Sequence, residues 1–305
     1  MTKGKTRKTQ IMIFDKNEIL DLIDIKKAKE IFTINQSSWK KNDGNVFNIF
    51  SKDSTNLLSK IEKNAIILNK ICDFTLGISP YDKHKGHRKD DIENRIFHAF
   101  FKKDKTYKRL LKGKDIIRYG IFWNGKQWIK YGNWLGRPRE QRFFSEDHII
   151  VRQIISGNPP RIYAAFCNIE LYNTQIGFNL LLKPKQDFDL KYILAILNSK
   201  LMTYYHSEKF LDKSKDVFQK ILIQNAKKFP IKRSSDTKIE KKIVGLVDEM
   251  IDFTNILHEI GNKKTSRKAG IEEKLSITDS KIDDLVFEIY GFTLEEISIV
   301  EESLK

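Results

Sequence analysis

The feature that most limits how this chain folds is a change of apolar period near Pro184. Before it, short runs of β-branched and aromatic residues alternate with Gly, Asn and Pro turns: Ile116–Trp123, Gln127–Tyr131, His148–Ile155, Arg161–Phe166 and Thr174–Leu182. A period of two bounded by turn residues predicts half-buried strands. Beyond Asp189 the period is helical. One stripe carries Tyr192, Ile193, Ile196, Leu197, Leu201 and Tyr204; another carries Ile243, Leu246, Val247, Met250 and Leu257; a third carries Ile282, Leu285, Val286, Ile289 and Tyr290. The fold class expected is α+β: a mostly antiparallel sheet with helical insertions, followed by a helical C-terminal module. Hydrophobic residues make up 40% of the chain and aromatics 11%, enough apolar surface to fill a core, which excludes a chain disordered throughout. No apolar run approaches the length of a membrane-spanning helix, and the basic N-terminus has no apolar stretch of the signal-peptide kind. A cytoplasmic protein is expected. Cys72 and Cys167 are too few for a disulfide framework or a thiolate metal site.

Local signals divide the chain into a basic arm and lead-in helix over 1–32, a middle region over 33–230 and the C-terminal helical module over 231–305. The first ten residues read as a disordered basic arm, and Asn17–Phe32 as a helix around Ile19, Leu22, Ile23 and Ile31. Turns are expected at Asn35–Trp39 and Asn42–Gly44. Ser54 then caps a helix with Leu57, Leu58, Ile61, Ala65, Leu68 and Ile71 on its apolar positions. Asn124-Gly125 predicts a hairpin between its flanking runs. Asp189 caps a helix that Asn198-Ser199 can interrupt, and a basic loop spans Lys209–Lys215. Pro230 marks a boundary. Thr237 with Glu240, and Thr293 with Glu296, form capping boxes, and Gly291 ends the helix before the last one.

Charge gives the first functional clue. The chain carries 56 Lys and Arg against 40 Asp and Glu, a net charge of +16. From Gly270 onward there are 10 acids and 3 bases, or −7, so the preceding residues carry 53 − 30 = +23. A basic body with an acidic tail is the outline of a polyanion binder. Between Lys83 and Arg118, 13 cations oppose 5 acids, interleaved with Phe97, Phe100, Phe101 and Tyr107, and Arg137, Arg139 and Arg142 follow. Most of the aromatics are expected in the core, and about half of the cations near phosphate.

Catalytic patterns are missing. There is no glycine-rich nucleotide loop, nucleophile elbow or kinase motif set. His84 and His87 have a metal-like separation but lie among Lys83, Lys85, Arg88 and Lys89, which oppose a cation, so no metal site is expected. Asn158-Pro159-Pro160 matches the start of the catalytic loop of adenine-N6 methyltransferases. Arg161 stands where that loop needs an aromatic to stack on a flipped base, and a turn is the simpler reading.

Several segments in order resemble one family. Gly77-Ile78-Ser79-Pro80-Tyr81-Asp82-Lys83-His84-Lys85-Gly86 is similar to the first basic loop of the TaqI-like C-terminal specificity domain, and Leu111–Tyr119 to its glycine-Asp-Ile-x-Arg-Tyr stretch. Arg142-Phe143-Phe144 leading into Ile149–Ile154 resembles its central strand, and Tyr192–Ser199 its Leu-Asn-Ser helix pair. Ile282–Ile297 resembles the terminal helices of type IIG restriction–methyltransferase chains. The resemblance runs from about Thr33 to Val300. It implies a target recognition domain that reads DNA sequence, makes 33–230 that domain, and leaves chemistry to a methyltransferase or restriction domain or subunit. S-adenosylmethionine and magnesium are then expected on that partner and no cofactor on this chain. Double-stranded DNA is the expected ligand. Phosphates fall to Lys83, Lys85, Arg88, Lys89, Lys102 and Lys103, with Arg118 closing the same basic segment; bases fall to Arg137, Arg139 and Arg142, while Arg152 and Gln153 sit on a strand where they read DNA or support the fold. Two other classes stay open: a magnesium-dependent nuclease, and a non-specific nucleic-acid-binding or assembly protein.

Overall fold

The computed structural model describes residues 8–14, 28, 30–36, 52–211 and 220–305. The chain divides into two compact units, Met1–Lys60 and Ile61–Lys305. In the first, Lys8–Ile13 pairs antiparallel with Glu30–Asn35, from Lys8 opposite Asn35 to Ile13 opposite Glu30. Lys8, Thr9 and Gln10 therefore belong to a strand where a disordered arm was expected, and Ile31 lies in a strand where a helix was. Ile11, Ile31, Thr33 and Ile34 explain this, because β-branched side chains fit a pleated surface better than a helix. Ile19, Leu22 and Ile23, and the turn positions 37–44, lie outside the described residues.

Helix Lys52–Glu62 starts before Ser54 and stops well short of Ile71. Asn64 adopts φ 60°, the left-handed conformation that Asn tolerates and that ends a helix. Ile66–Ile67 then pairs with Pro230–Ile231.

Two four-stranded sheets form the centre of the second unit. The first runs Ala164–Cys167, His148–Arg152, Gly177–Leu182, Cys72–Leu76, with every pair antiparallel. Tyr172–Asn173, Tyr107–Leu111, Trp128–Lys130 and His98–Ala99 make the second, in which only Tyr172–Asn173 pairs parallel with its neighbour. Ile78, Leu110, Ile129, Leu135, Phe144, Tyr172 and Leu181 pack as one buried cluster drawn from both sheets and their loops. Gly77 allows this closeness, since a Cβ there would run into the Thr174 carbonyl.

The Asn124-Gly125 turn is present, with Gly125 at φ 79° and Asn124 Oδ1 accepting from Lys126 N–H at 3.0 Å. Its flanks do not pair with each other. Ile116–Ile117 instead closes on Gly120–Ile121, and Trp128–Lys130 joins Tyr107–Leu111 and His98–Ala99. Sheet partners decide such a choice, which a turn signal alone cannot.

The helical half follows its periods closely. Asp189 accepts from Lys191 N–H at 2.7 Å to open Leu190–Asn198. Ser199 is extended, breaks that helix, and caps Lys200–Phe210 by accepting from Met202 N–H at 3.2 Å. The two long helices Thr237–Ile260 and Ser266–Tyr290 follow, then Leu294–Ser303. Asp236, not Thr237, caps the first, accepting from Lys238 N–H at 2.8 Å, while Glu240 takes Ser234 N–H at 3.0 Å. Thr293 and Glu296 exchange both bonds of a capping box, at 3.3 and 2.7 Å. Gly291 ends its helix at φ 73°. Lys209 lies within its helix, and 212–219 fall outside the described residues. Among the described residues no helix is long and apolar enough to cross a membrane.

Candidate nucleic-acid interface

The Lys83–Arg118 segment divides its charges by direction. Three of its four aspartates serve as local backbone acceptors. Asp82, just before it, takes His84 N–H at 2.9 Å; Asp91 takes Arg88 N–H at 2.9 Å; Asp115 takes Lys112 N–H at 2.8 Å. Asp104 takes both Thr106 N–H at 2.7 Å and Thr106 Oγ1–H at 2.5 Å. Lys83, Lys85, Arg88, Lys89, Lys102 and Lys103 are all exposed. Arg88 is 86% exposed with Asp91 at 3.8 Å, and Lys89 is 79% exposed with Glu93 at 3.6 Å, contacts that water and salt weaken. Asp82, Asp91, Asp104 and Asp115 thus hold loop shape, and these six cations face solvent.

Aromatic packing anchors this loop. Tyr81 stacks on Phe97 at 5.3 Å, and His87 meets the same ring edge-on at 5.4 Å. Tyr81 O–H accepts from Phe97 N–H and lies 3.0 Å from His98 Nδ1. Burial, reinforced by Arg95, pulls the His98 imidazole down to about 4, so it is neutral at pH 7. His87 Nδ1 accepts from Asp82 N–H at 2.8 Å, and Nε2 sits 2.8 Å from the Trp134 carbonyl. That carbonyl can only accept, so the His87 proton is on Nε2 and both ring nitrogens have partners.

The same loop is tied to the arginine loop that follows. Ser79 and Arg137 exchange both backbone bonds, at 3.0 and 2.8 Å, and Gly136 N–H reaches Pro80 O at 3.1 Å. Gly136 has no room for a side chain, as its Cβ would lie 2.8 Å from Asp82 Cβ. Gln175 donates to Ser79 Oγ at 2.9 Å, and Gln153 N–H reaches Ile176 O at 2.9 Å. The structure therefore links exposed Arg137 to the basic loop, and through the 174–176 turn to Gln153. Gln153 lines a 530 Å³ recess with Lys114, Arg152, Gln175 and Lys220 around Ile154 and Ile176. Lys114, Gln175 and Lys220 are additions that sequence reasoning missed; they come from separate segments with no shared pattern.

Other arginines turn inward. Arg118 donates to Asp279 at 2.6 and 2.9 Å and to the Asn198 carbonyl at 3.0 Å. Arg161, beyond the Gly157–Pro160 turn, is 9% exposed and lies 3.2 Å from Asp283, donating to the Asn198 carbonyl at 2.9 Å. Asp283 also accepts from Lys200 N–H at 2.8 Å, and Lys200 Nζ pairs with Glu301 at 2.5 Å. Burial pushes the Asp279 carboxyl upward, but the charge and hydrogen bonds of Arg118 outweigh it and hold it below the usual range. For Asp283 burial prevails over Arg161 and raises it. This clasp joins the 116–121 hairpin, the Arg161 turn, the Asn198-Ser199 break and the helix Ser266–Tyr290. Arg118 is consequently removed from the solvent-facing cations.

Arg152 points at Gly113 O and Ile116 O, both at 3.5 Å, bonds Ser156 Oγ, and stacks over Tyr163 at 4.5 Å. Arg142 is held by Glu140 at 2.8 Å and Asp73 at 3.1 Å. Arg139 is half-buried at φ 63°, its carbonyl accepting from Tyr131 O–H at 2.9 Å. Among the described residues no three His, Cys, Asp or Glu side chains are grouped to hold a metal ion.

Residues 108–231 match the TaqI-like C-terminal specificity domain. That stretch contains the Leu111–Tyr119, Arg142–Ile154 and Tyr192–Ser199 segments, and the Gly77–Gly86 loop and Ile282–Ile297 lie outside it. A Methanocaldococcus jannaschii protein named as a type II restriction enzyme and methyltransferase is 24% identical over 239 residues, covering 77% of this chain and 18% of its own length. Among solved structures, the type IIL restriction–modification enzyme MmeI in complex with DNA aligns at TM-score 0.43 and 12% identity, over 76% of this chain and 35% of that one. The HsdS subunit from Thermoanaerobacter tengcongensis aligns at TM-score 0.37 and 10% identity, over 78% and 51%.

Proposed function

We propose that this chain, which carries a TaqI-like C-terminal specificity domain over residues 108–231, reads duplex DNA sequence on behalf of a methyltransferase or restriction domain or subunit. The observation that carries this reading is the division of charge: Asp82 and Asp91 of the basic loop are bonded to backbone N–H groups of that loop, and Lys83, Lys85, Arg88, Lys89 and Arg137 face solvent on linked loops. Phosphate oxygens suit the lysines and Arg88, which fix register without reading sequence. Arg137 and Gln153 have the donors and acceptors to read guanine and adenine edges. Arg118, Arg152 and Arg142 serve the fold in this reading.

The chain itself does no chemistry; S-adenosylmethionine and magnesium belong to the partner. Glu272-Glu273-Lys274, the sequence closest to a nuclease signature, lies on the helix Ser266–Tyr290, whereas metal-dependent nucleases of that kind gather their ligands from adjacent strands. Selection of randomised duplexes on the purified chain at low salt tests the proposal. Enrichment of one sequence is expected. Equal retention of all sequences, magnesium-dependent cleavage, or methyl transfer by the chain alone would each overturn it.

A further inference from the structure

Phe100 and Phe101 are 77% and 65% exposed. Two adjacent phenylalanines in water are costly, because burying such rings is a main source of folding free energy. The loop carrying them is nonetheless built to hold one shape. It leaves the strand His98–Ala99, which pairs with Trp128 and Ile129; Tyr81 holds His98, and His87 packs on Phe97 just before the strand, so both seat it on the basic loop. It returns at Asp104, whose carboxylate takes both Thr106 donors and whose carbonyl accepts from Tyr107 N–H at 3.2 Å. Between these fixed ends, Lys102 and Lys103 are exposed beside the rings, and Lys105 follows.

The tip therefore offers apolar rings ringed by lysines, with the nearest acid turned into its own turn. An acidic or apolar protein surface satisfies one half of that chemistry; a duplex satisfies both, with phosphates outside and stacked bases within. We propose that Phe100 and Phe101 form a wedge that enters a base step while Lys102, Lys103 and Lys105 hold the flanking phosphates. Apolar side chains inserted this way partly unstack the step and kink the duplex. The inference rests on the DNA-reading proposal above and adds to it a site of DNA deformation.

Relaxation of closed circular plasmid by a topoisomerase in the presence of the full 305-residue chain tests it without knowledge of the recognised sequence. Wild type is expected to shift the linking number in proportion to bound protein. Phe100→Ala/Phe101→Ala should abolish the shift and weaken binding about tenfold, with its salt dependence unchanged because the lysines remain. Phe100→Leu/Phe101→Leu should keep the shift, since leucine also serves as a wedge. Both rings are exposed, so unaltered thermal unfolding is expected for each variant. If wild type binds plasmid without a shift, or the alanine variant shifts it equally, the tip belongs to a protein contact and the wedge is overturned while DNA reading stands. If wild type binds no plasmid at all, the DNA reading falls first and the wedge with it.

Discussion

At Arg88 the guanidinium is 86% exposed and lies 3.8 Å from Asp91; at Arg161 it is 9% exposed and lies 3.2 Å from Asp283. The residue types are the same, and the physics differs. Water around Arg88 screens its pair and leaves the cation available to a stronger anion such as phosphate. Arg161 and Asp283 have lost their water, so each depends on the other, on the Asn198 carbonyl and on Lys200 N–H. In a buried pair, removing one member leaves an uncompensated charge, which costs far more than the pair contributes. The positive charge of the body is thus of two kinds, one that faces solvent and one that holds the acidic C-terminal helices.

The sharpest way to break this comparison is to delete one acid from each region. Asp283→Ala should destabilise the fold by about 3–5 kcal/mol, and Asp91→Ala by about 1 kcal/mol through its lost backbone bond. Chemical denaturation of both variants checks the difference, and similar losses would mean that the clasp is not the tighter device. The interior should also show in its pH response. His206 is fully buried against Phe210 and Phe229, and burial pulls its imidazole down to about 4. A depressed folded value means that the unfolded chain binds the proton first as pH falls from about 6.5 to 4, so stability declines over that window. His206→Leu should flatten that decline by about 3 kcal/mol, measured as unfolding free energy at pH 8 and pH 4.

For the outer region, replacing Lys83, Lys85, Arg88 and Lys89 together with Ala should remove about 3.6 from the slope of log affinity against log salt, at about 0.9 per phosphate. Titrations at 50 and 200 mM salt measure it, and stability should change little. Arg137→Ala should leave the slope nearly intact and alter sequence preference, at about 1–3 kcal/mol for a lost bidentate base contact. Equal weakening on all sequences would turn Arg137 into a phosphate contact.

The strands His148–Arg152, Ala164–Cys167, Gly177–Leu182 and Trp128–Lys130 and the helices after Pro184 were legible because period reports which face a side chain takes, whereas Cys72–Leu76, His98–Ala99, Tyr107–Leu111 and Tyr172–Asn173 were not read as strands; the helix ends at Asp189, Gly291 and Thr293 were legible because capping is local chemistry. Long-range pairing was not. Asn124-Gly125 turns the chain as read, but the choice of sheet partner belongs to residues as distant as Tyr107 and His98. Arg118 belongs to the same basic run as Lys83, yet its neighbour in space is Asp279, 161 residues away; no charge count along the chain discloses that. Leu111–Tyr119 and Tyr192–Ser199, two segments that carry the family resemblance, supply Arg118 and Asn198 to the clasp. Resemblance therefore tracked what holds the helices in place more closely than what faces solvent. The exposure of Phe100 and Phe101 was hidden for a related reason, since an aromatic pair in a strand-rich region reads as core.

Because Asp82, Asp91, Asp104 and Asp115 hold the loops through backbone N–H groups, the shape of the outer region does not depend on which side chains it displays. Lys83, Lys85, Arg88 or Lys102 can be exchanged for Gln, Asn or Ser with each carboxylate still gripping the same main-chain hydrogen. A surface of this construction can drift from one set of contacts to another by single substitutions, without passing through a misfolded intermediate. New preferences are therefore reachable in small steps along the basic loop, while change at Arg161 or Asp283 requires two simultaneous replacements.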